Sequence, residues 1–245
     1  MRLILTLFLI TIGFLAASQN NSPQINTSGK NSNDFLPAGW KLIDSAQGDL
    51  NKDSLPDRVL IIENTDPRNF IQNEGMGGDT LNANPRILLV LFKDKNTPSY
   101  RLVAQNNAFI PPSNDTVSPC LADPLAETEG ITIKNGVLGL HFQYWLSCGS
   151  WFTSNHDYLF RYQNKRFELI GFNSMEFHRS SGEMSEYSIN FSTKKLSHTE
   201  GGNMFEETTA KPKTTWKKFT MPKLLSLENM DEDSFTEMLT IMDQK

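Results

Sequence analysis

From Val137 to Leu146 the chain alternates with a period of two. Leu138, Leu140, Phe142, Tyr144 and Leu146 fall on one side, and Gly139, His141, Gln143 and Trp145 on the other. That is the side-chain period of an extended strand with one face on a core, whereas a helix would scatter the same residues around its circumference. Just before it, Lys134-Asn135-Gly136 carries the Asn-Gly pair that tolerates the positive φ angles of a type I′ turn. The segment therefore predicts a hairpin with Gly130 to Ile133 as its first arm.

The same signature recurs as short apolar runs rich in β-branched and aromatic residues, broken by Asn, Asp, Pro and Gly. It marks strands at Trp40 to Ile43, Arg58 to Glu63, Arg86 to Phe92, Tyr100 to Gln105, Tyr158 to Tyr162, Phe167 to Phe172, Ser188 to Ser192 and Thr215 to Phe219. Tyr162-Gln163-Asn164-Lys165-Arg166-Phe167 reads as a second hairpin. Arg86 to Phe92 is apolar almost throughout, which predicts a central strand covered on both faces, between sheets or under a helix. The tail from Leu224 to Met242 offers one short helix, with Asp231, Glu232 and Asp233 near its N-terminal end, where they favour the dipole, and Phe235, Met238, Leu239 and Met242 at docking positions. No tandem repeat is present. The expected fold is mainly β: antiparallel sheets forming one sandwich-like or irregular β domain over residues 36–245, with a short C-terminal helix.

Residues 1–18 place Arg2 before an apolar run from Leu3 to Leu15 and then small residues, the order of a secretory signal peptide cut after Ser18. The run is short for a membrane span. No cysteine stands at the cut for lipid anchoring, and no second run of spanning length follows, so no stable membrane insertion is expected after cleavage. Residues 19–35 are polar and rich in Asn and Ser, which predicts a flexible leader. The chain carries 23 basic against 28 acidic residues. That balance and the export signal argue against nucleic-acid binding, even though Lys211, Lys213, Lys217 and Lys218 flank Trp216. In a periplasmic or secreted protein the two cysteines, Cys120 and Cys148, are expected to pair. The alternatives are free buried thiols or a reactive cysteine.

Chemistry is concentrated in Gly48-Asp49-Leu50-Asn51-Lys52-Asp53-Ser54-Leu55-Pro56-Asp57. Side-chain oxygens stand at relative positions 1, 3, 5 and 9, and the carbonyl of Leu55 at position 7, a spacing that wraps hard oxygen ligands around Ca²⁺. Asp49, Asn51, Asp53, Leu55 and Asp57 are the candidate ligands. Ser54 replaces the turn-easing glycine, and Leu60 stands where a helical hand would place its glutamate. A strand follows rather than a helix. The loop resembles the calcium loops of FG-GAP/VCBS-type β proteins, over about fifteen residues and once only, so a complete propeller is not implied. The wider chain resembles uncharacterised exported bacterial proteins with such a loop near the start of the mature domain, through Gly48 to Glu63, Asn84 to Phe92, Ile133 to Leu138 and Tyr162 to Gly171. The resemblance implies a structural cation and no particular activity. The alternatives are an Asp/Asn-rich turn without an ion, or a catalytic metal site.

Elsewhere, His141, Gln143, Trp145 and Trp151 form a candidate surface for a sugar or peptide, with His156 nearby. The simpler account is that the tryptophans cover a sheet edge and shield the disulfide. Asn73 to Thr80 is glycine-rich but lacks the ending of a phosphate-binding loop. No HExxH pair and no G-x-S-x-G elbow is present, so no catalytic residue is assigned. The sequence thus points to a non-enzymatic exported binding or structural module with one Ca²⁺-stabilised loop, its partner a glycan, a peptide or an envelope protein. The alternative is an extracytoplasmic hydrolase acting on glycans or peptides.

Overall fold

The computed structural model describes residues 22–205, 211–231 and 233–243. The expected signal peptide and residues 19–21 of the expected leader lie outside them. Among the described residues fourteen strands form in chain order: β1 Ser28–Gly29, β2 Trp40–Gly48, β3 Asp57–Asn64, β4 Phe70–Gln72, β5 Thr80–Asn82, β6 Arg86–Lys93, β7 Tyr100–Asn106, β8 Ile131–Lys134, β9 Val137–Trp145, β10 Phe152–Gln163, β11 Arg166–His178, β12 Glu183–Asn190, β13 Lys195–Asn203 and β14 Lys213–Lys218. One α-helix, α1, spans Ser234–Met242. The protein is mainly β, with every pairing antiparallel.

Two sheets face each other. The first has the order β1-β7-β6-β3-β2 and the second β14-β13-β12-β11-β10-β9-β8, while β4 and β5 pair as a separate ribbon. Val59, Ile61, Leu88 and Val90 of the first sheet share one buried cluster with Leu138, Leu140, Phe142, Phe160 and Phe172 of the second. The alternate residues of β3 and β6, including Leu60, Ile62, Ile87, Leu89 and Leu91, face away from it and form a second cluster. That is why Arg86 to Phe92 is apolar on both sides.

What covers this outer face is the segment read as a flexible leader, which is a correction. Ile25 and Phe35 are buried there, and Ser28–Gly29 pairs with β7. Its Asn and Asp residues build local order instead of solvating a coil. Asn31 caps the short 3-10 turn Ser32–Phe35, and Asp34 Oδ2 accepts from the N–H groups of Lys30 at 2.6 Å and Asn31 at 3.1 Å. Two apolar side chains suffice, because the sheet below supplies the remaining surface.

Both expected hairpins form; the first has the expected left-handed turn residues, Asn135 and Gly136, and the second turns on left-handed Asn164 and Lys165. Strands of the second sheet run further than their apolar runs. β10 begins at Phe152 and β11 continues to His178, while β13 forms from a polar segment in which no strand was expected. At the far edge, all six residues of β14 are exposed.

Helix α1 buries Met238, Ile241 and Met242, with Phe235 packed against the same core. Leu239, expected to dock, is 43% exposed, and Ile241 takes its place. Phe235 stacks on the ring of His156, with centroids 4.5 Å apart. Burial lowers the His156 pKa to about 4, with the Asp157 charge opposing that shift, and its Nδ1 has no hydrogen-bond partner. The folded value lies below the ordinary 6.5, so the neutral ring contributes stability that is complete above pH 6.5 and lost as pH falls towards 4. The loss approaches roughly 3 kcal/mol. Urea unfolding of His156→Phe at pH 7 and pH 4.5 is expected to show a smaller acid loss than the native chain shows.

Cys120 and Cys148 form a disulfide with a Cα–Cα distance of 5.5 Å. Reduction frees the denatured chain by roughly 3 to 4 kcal/mol in the chain-entropy model. The expected result in a reductant-treated melt is a fall in Tm of about 10 °C.

One charged network is buried as well. Arg86 on β6 donates to Asp123 at 2.7 and 2.6 Å and to Glu63 on β3 at 2.9 Å, and Lys41 reaches Glu63 at 2.8 Å. Burial pushes the Glu63 carboxyl up, but its hydrogen bonds from Lys41 and Arg86 outweigh that push and hold it below the usual range.

Candidate functional site

Residues 49–56 join β2 to β3 and fold on their own side chains. Asp49 Oδ1 accepts from the N–H groups of Lys52 at 2.7 Å and Asp53 at 3.2 Å, and its Oδ2 from that of Ser54 at 2.9 Å. Asn51 Oδ1 accepts from the N–H of Asp53 at 3.0 Å, and Asp53 Oδ1 from that of Leu55 at 2.8 Å. Ser54 has φ 68°, so it takes the left-handed conformation that a glycine would ease at this position.

Asp57 is fully buried and fastens the start of the loop to the neighbouring strand. Its Oδ2 accepts from the N–H of Leu50 at 2.9 Å and its Oδ1 from that of Lys93 at 3.0 Å, at the end of β6. Burial pushes its carboxyl above the ordinary value, against the lowering effect of those two bonds. Asp49, Asn51, Asp53 and Asp57 thus each fasten part of one nine-residue segment. Among the described residues, however, no three His, Cys, Asp or Glu side chains converge as a metal cluster. The carboxylates are turned to separate N–H donors.

The second candidate surface lies on the outward face of the seven-stranded sheet. Register places His141 of β9, Asp157 of β10, Asn173 of β11, Ser188 of β12 and Ser197 of β13 side by side in one row. Gln143, Asn155, Met175, Glu186 and Thr199 form the next. These rows contribute to a depression of about 620 Å³, whose rim includes Glu127 and Glu129. Among the described residues no Lys or Arg lines it.

Its most ordered polar element is a chain across three strands. His141 Nδ1 lies 2.8 Å from Asp157 Oδ1, and His141 Nε2 lies 2.9 Å from Thr132 Oγ1 of β8. With the Nδ1 proton directed to the carboxylate, Nε2 accepts from the threonine hydroxyl. Gly139 leaves the room for this contact. A Cβ there would stand 2.4 Å from Thr132 Oγ1 and 2.8 Å from His141 Nε2.

Trp145 follows Gln143 on the same face of β9 and is 37% exposed. Trp151 is 63% exposed in the turn before β10. The Arg179 guanidinium lies over both rings, 5.3 and 6.0 Å from their centroids. Its Nη2 donates to the carbonyls of Leu146 and Ser150, which tethers the turn that carries Cys148. The two tryptophans therefore flank the disulfide-bearing turn, and Trp145 also borders the open face.

His141, Gln143 and Trp145 are brought together on one strand, with Trp151 linked through Arg179. The calcium-loop residues form a separate region. Sequence reading missed Thr132, Asn155, Asp157, Asn173, Glu186 and Arg179. The Asn135-Gly136 turn could have supplied Thr132, since a two-residue turn sets it opposite Gly139 and diagonal to His141. The glycine-rich segment between β4 and β5 is an exposed loop that touches the Pro119 segment at Gly77. Gly77, with φ 103°, lies so close to the carbonyl of Pro119 that a Cβ would stand 2.3 Å from that oxygen. Comparison of the chain with protein-family models, curated proteins and solved structures finds no match.

Proposed function

We propose that the chain is an exported, non-enzymatic module that binds a polar ligand on the outward face of its seven-stranded sheet and is braced by Ca²⁺ in the Asp49–Asp57 loop. The observation that carries the binding reading is the depression around His141, Gln143, Asn155, Asp157, Asn173 and Glu186, where amides and carboxylates gather beside an exposed tryptophan. A periplasmic or extracellular location fits the disulfide. No helix among the described residues is long and apolar enough to cross a membrane.

The Ca²⁺ proposal rests on donor chemistry. Asp49, Asn51, Asp53 and Asp57 supply hard side-chain oxygens and Leu55 a carbonyl, as in the calcium loops of FG-GAP/VCBS-type proteins that the segment resembles. Asp49 Oδ2 and both Asp53 oxygens each accept one N–H bond and keep a second lone pair, whereas Asp49 Oδ1 accepts two. No cationic side chain lies within ion-pair distance of buried Asp57 among the described residues. Because the carboxylates must be drawn together, the expected affinity is that of extracellular modules, about 10⁻⁴ to 10⁻³ M. At 10 mM Ca²⁺ the tighter limit gives about 2.7 kcal/mol of stabilisation, or roughly 5 to 10 °C in Tm. Asp49→Ala or Asp53→Ala is expected to abolish most of this gain, and an equal gain with Mg²⁺ would remove the claim of selectivity.

A hydrolase is favoured by one observation, the Thr132–His141–Asp157 chain, whose connectivity is that of a hydroxyl, a general base and its orienting carboxylate. The binding reading expects no turnover of p-nitrophenyl acetate above a His141→Ala control. Turnover lost in both His141→Ala and Thr132→Val would replace it with the enzyme.

A further inference from the structure

Resting on the binding reading above, we propose that the ligand is an uncharged glycan chain laid along β9, with its hydroxyls in the depression and a sugar ring against Trp145. Three observations converge on this class. The first is charge. Asp157, Glu186, Glu127 and Glu129 line the depression and no Lys or Arg among the described residues does, while Lys134, outside the lining, is engaged by Glu129 at 3.3 Å, so an anionic ligand would meet an excess of carboxylates.

The second is the kind of hydrogen-bonding group. Gln143 and Asn155 are directly opposed on β9 and β10, and Asn173 stands beside Asp157 on β11. Side-chain amides present a donor and an acceptor together, and carboxylates accept in pairs, which suits the adjacent hydroxyls of a sugar. These groups lie on the face of a sheet, where backbone N–H and C=O groups are already paired within the ladder. An extended peptide gains its affinity chiefly by adding to an unpaired strand edge, and this surface offers none.

The third is the aromatic end. Trp145 sits four residues beyond His141 on the same face of the strand, about 13 Å along it, and is partly exposed. Its ring is held by the Arg179 guanidinium, so it presents a flat apolar surface at little entropic cost. A hydrogen-bonding floor at one end and a fixed ring at the other form a track for a chain of more than one sugar unit.

The test is titration calorimetry of the protein with chitohexaose, cellohexaose and maltohexaose as neutral probes, an oligogalacturonate as the anionic probe and hexalysine as the cationic peptide. Saturable binding of at least one neutral probe is expected, with none for the oligogalacturonate. Gln143→Ala and Trp145→Ala should each weaken it tenfold or more. Gln143 makes no side-chain hydrogen bond in the fold, so its variant should melt with the native chain. Unchanged affinity in both variants overturns the proposed track. Binding of hexalysine alone overturns the glycan class but leaves a binding module. Binding of no probe overturns the class and the binding reading together.

Discussion

Asp57→Ala is expected to destabilise the protein by roughly 3 to 5 kcal/mol, because two hydrogen bonds to a buried charged acceptor are lost together and their donors stay behind. Those donors, the N–H groups of Leu50 and Lys93, belong to the 49–56 loop and the end of β6. The variant thus releases the loop from its neighbouring strand as well as removing a candidate ligand. Asp57→Asn keeps one oxygen acceptor and should lose less. Urea unfolding in the presence of chelator measures the clamp alone. If Asp57→Ala unfolds at the native midpoint under those conditions, the clamp contributes nothing.

Arg86→Leu is expected to cost a similar amount, about 3 to 5 kcal/mol, for a different reason. It strands Glu63 in the interior with only Lys41 as charged partner and frees Asp123, whose segment leads from Cys120 to the rim of the outward depression. A second substitution decides the cause. Adding Glu63→Gln to Arg86→Leu removes the orphaned charge, so the double variant should recover part of the loss. If the double variant is as unstable as the sum of the two single ones, the network is not a coupled unit.

Much of the scaffold was legible because it rests on local rules. Asn-Gly at 135–136 specifies its turn, the alternation of Leu138, Leu140 and Phe142 specifies a core face, and the doubly apolar run at 86–92 specifies a central strand. Three things escaped for physical reasons. β13 buries little beyond Leu196 and Ser197, so its polar sequence carries almost no apolar period. Residues 22–35 hold too few apolar side chains to fold alone and take their order from the exposed back of the first sheet. The depression is assembled by register across five strands, and two pairings shift, between Leu159 and Phe160 and between Met184 and Ser185, which no local pattern announces. The Asp49–Asp57 loop was legible as an Asp- and Asn-rich turn, since its spacing is local. How its carboxylates are oriented is set by the N–H groups around them.

Among the described residues the outermost strand, Lys213–Lys218, has no strand paired to its outer side, and three of its six residues are lysines. An open edge invites another chain to continue the sheet, and a row of like charges makes that continuation repulsive. The sheet is therefore finite by electrostatics rather than by closure. The lysines around Trp216 that resemble a nucleic-acid patch in sequence place like charges along this edge.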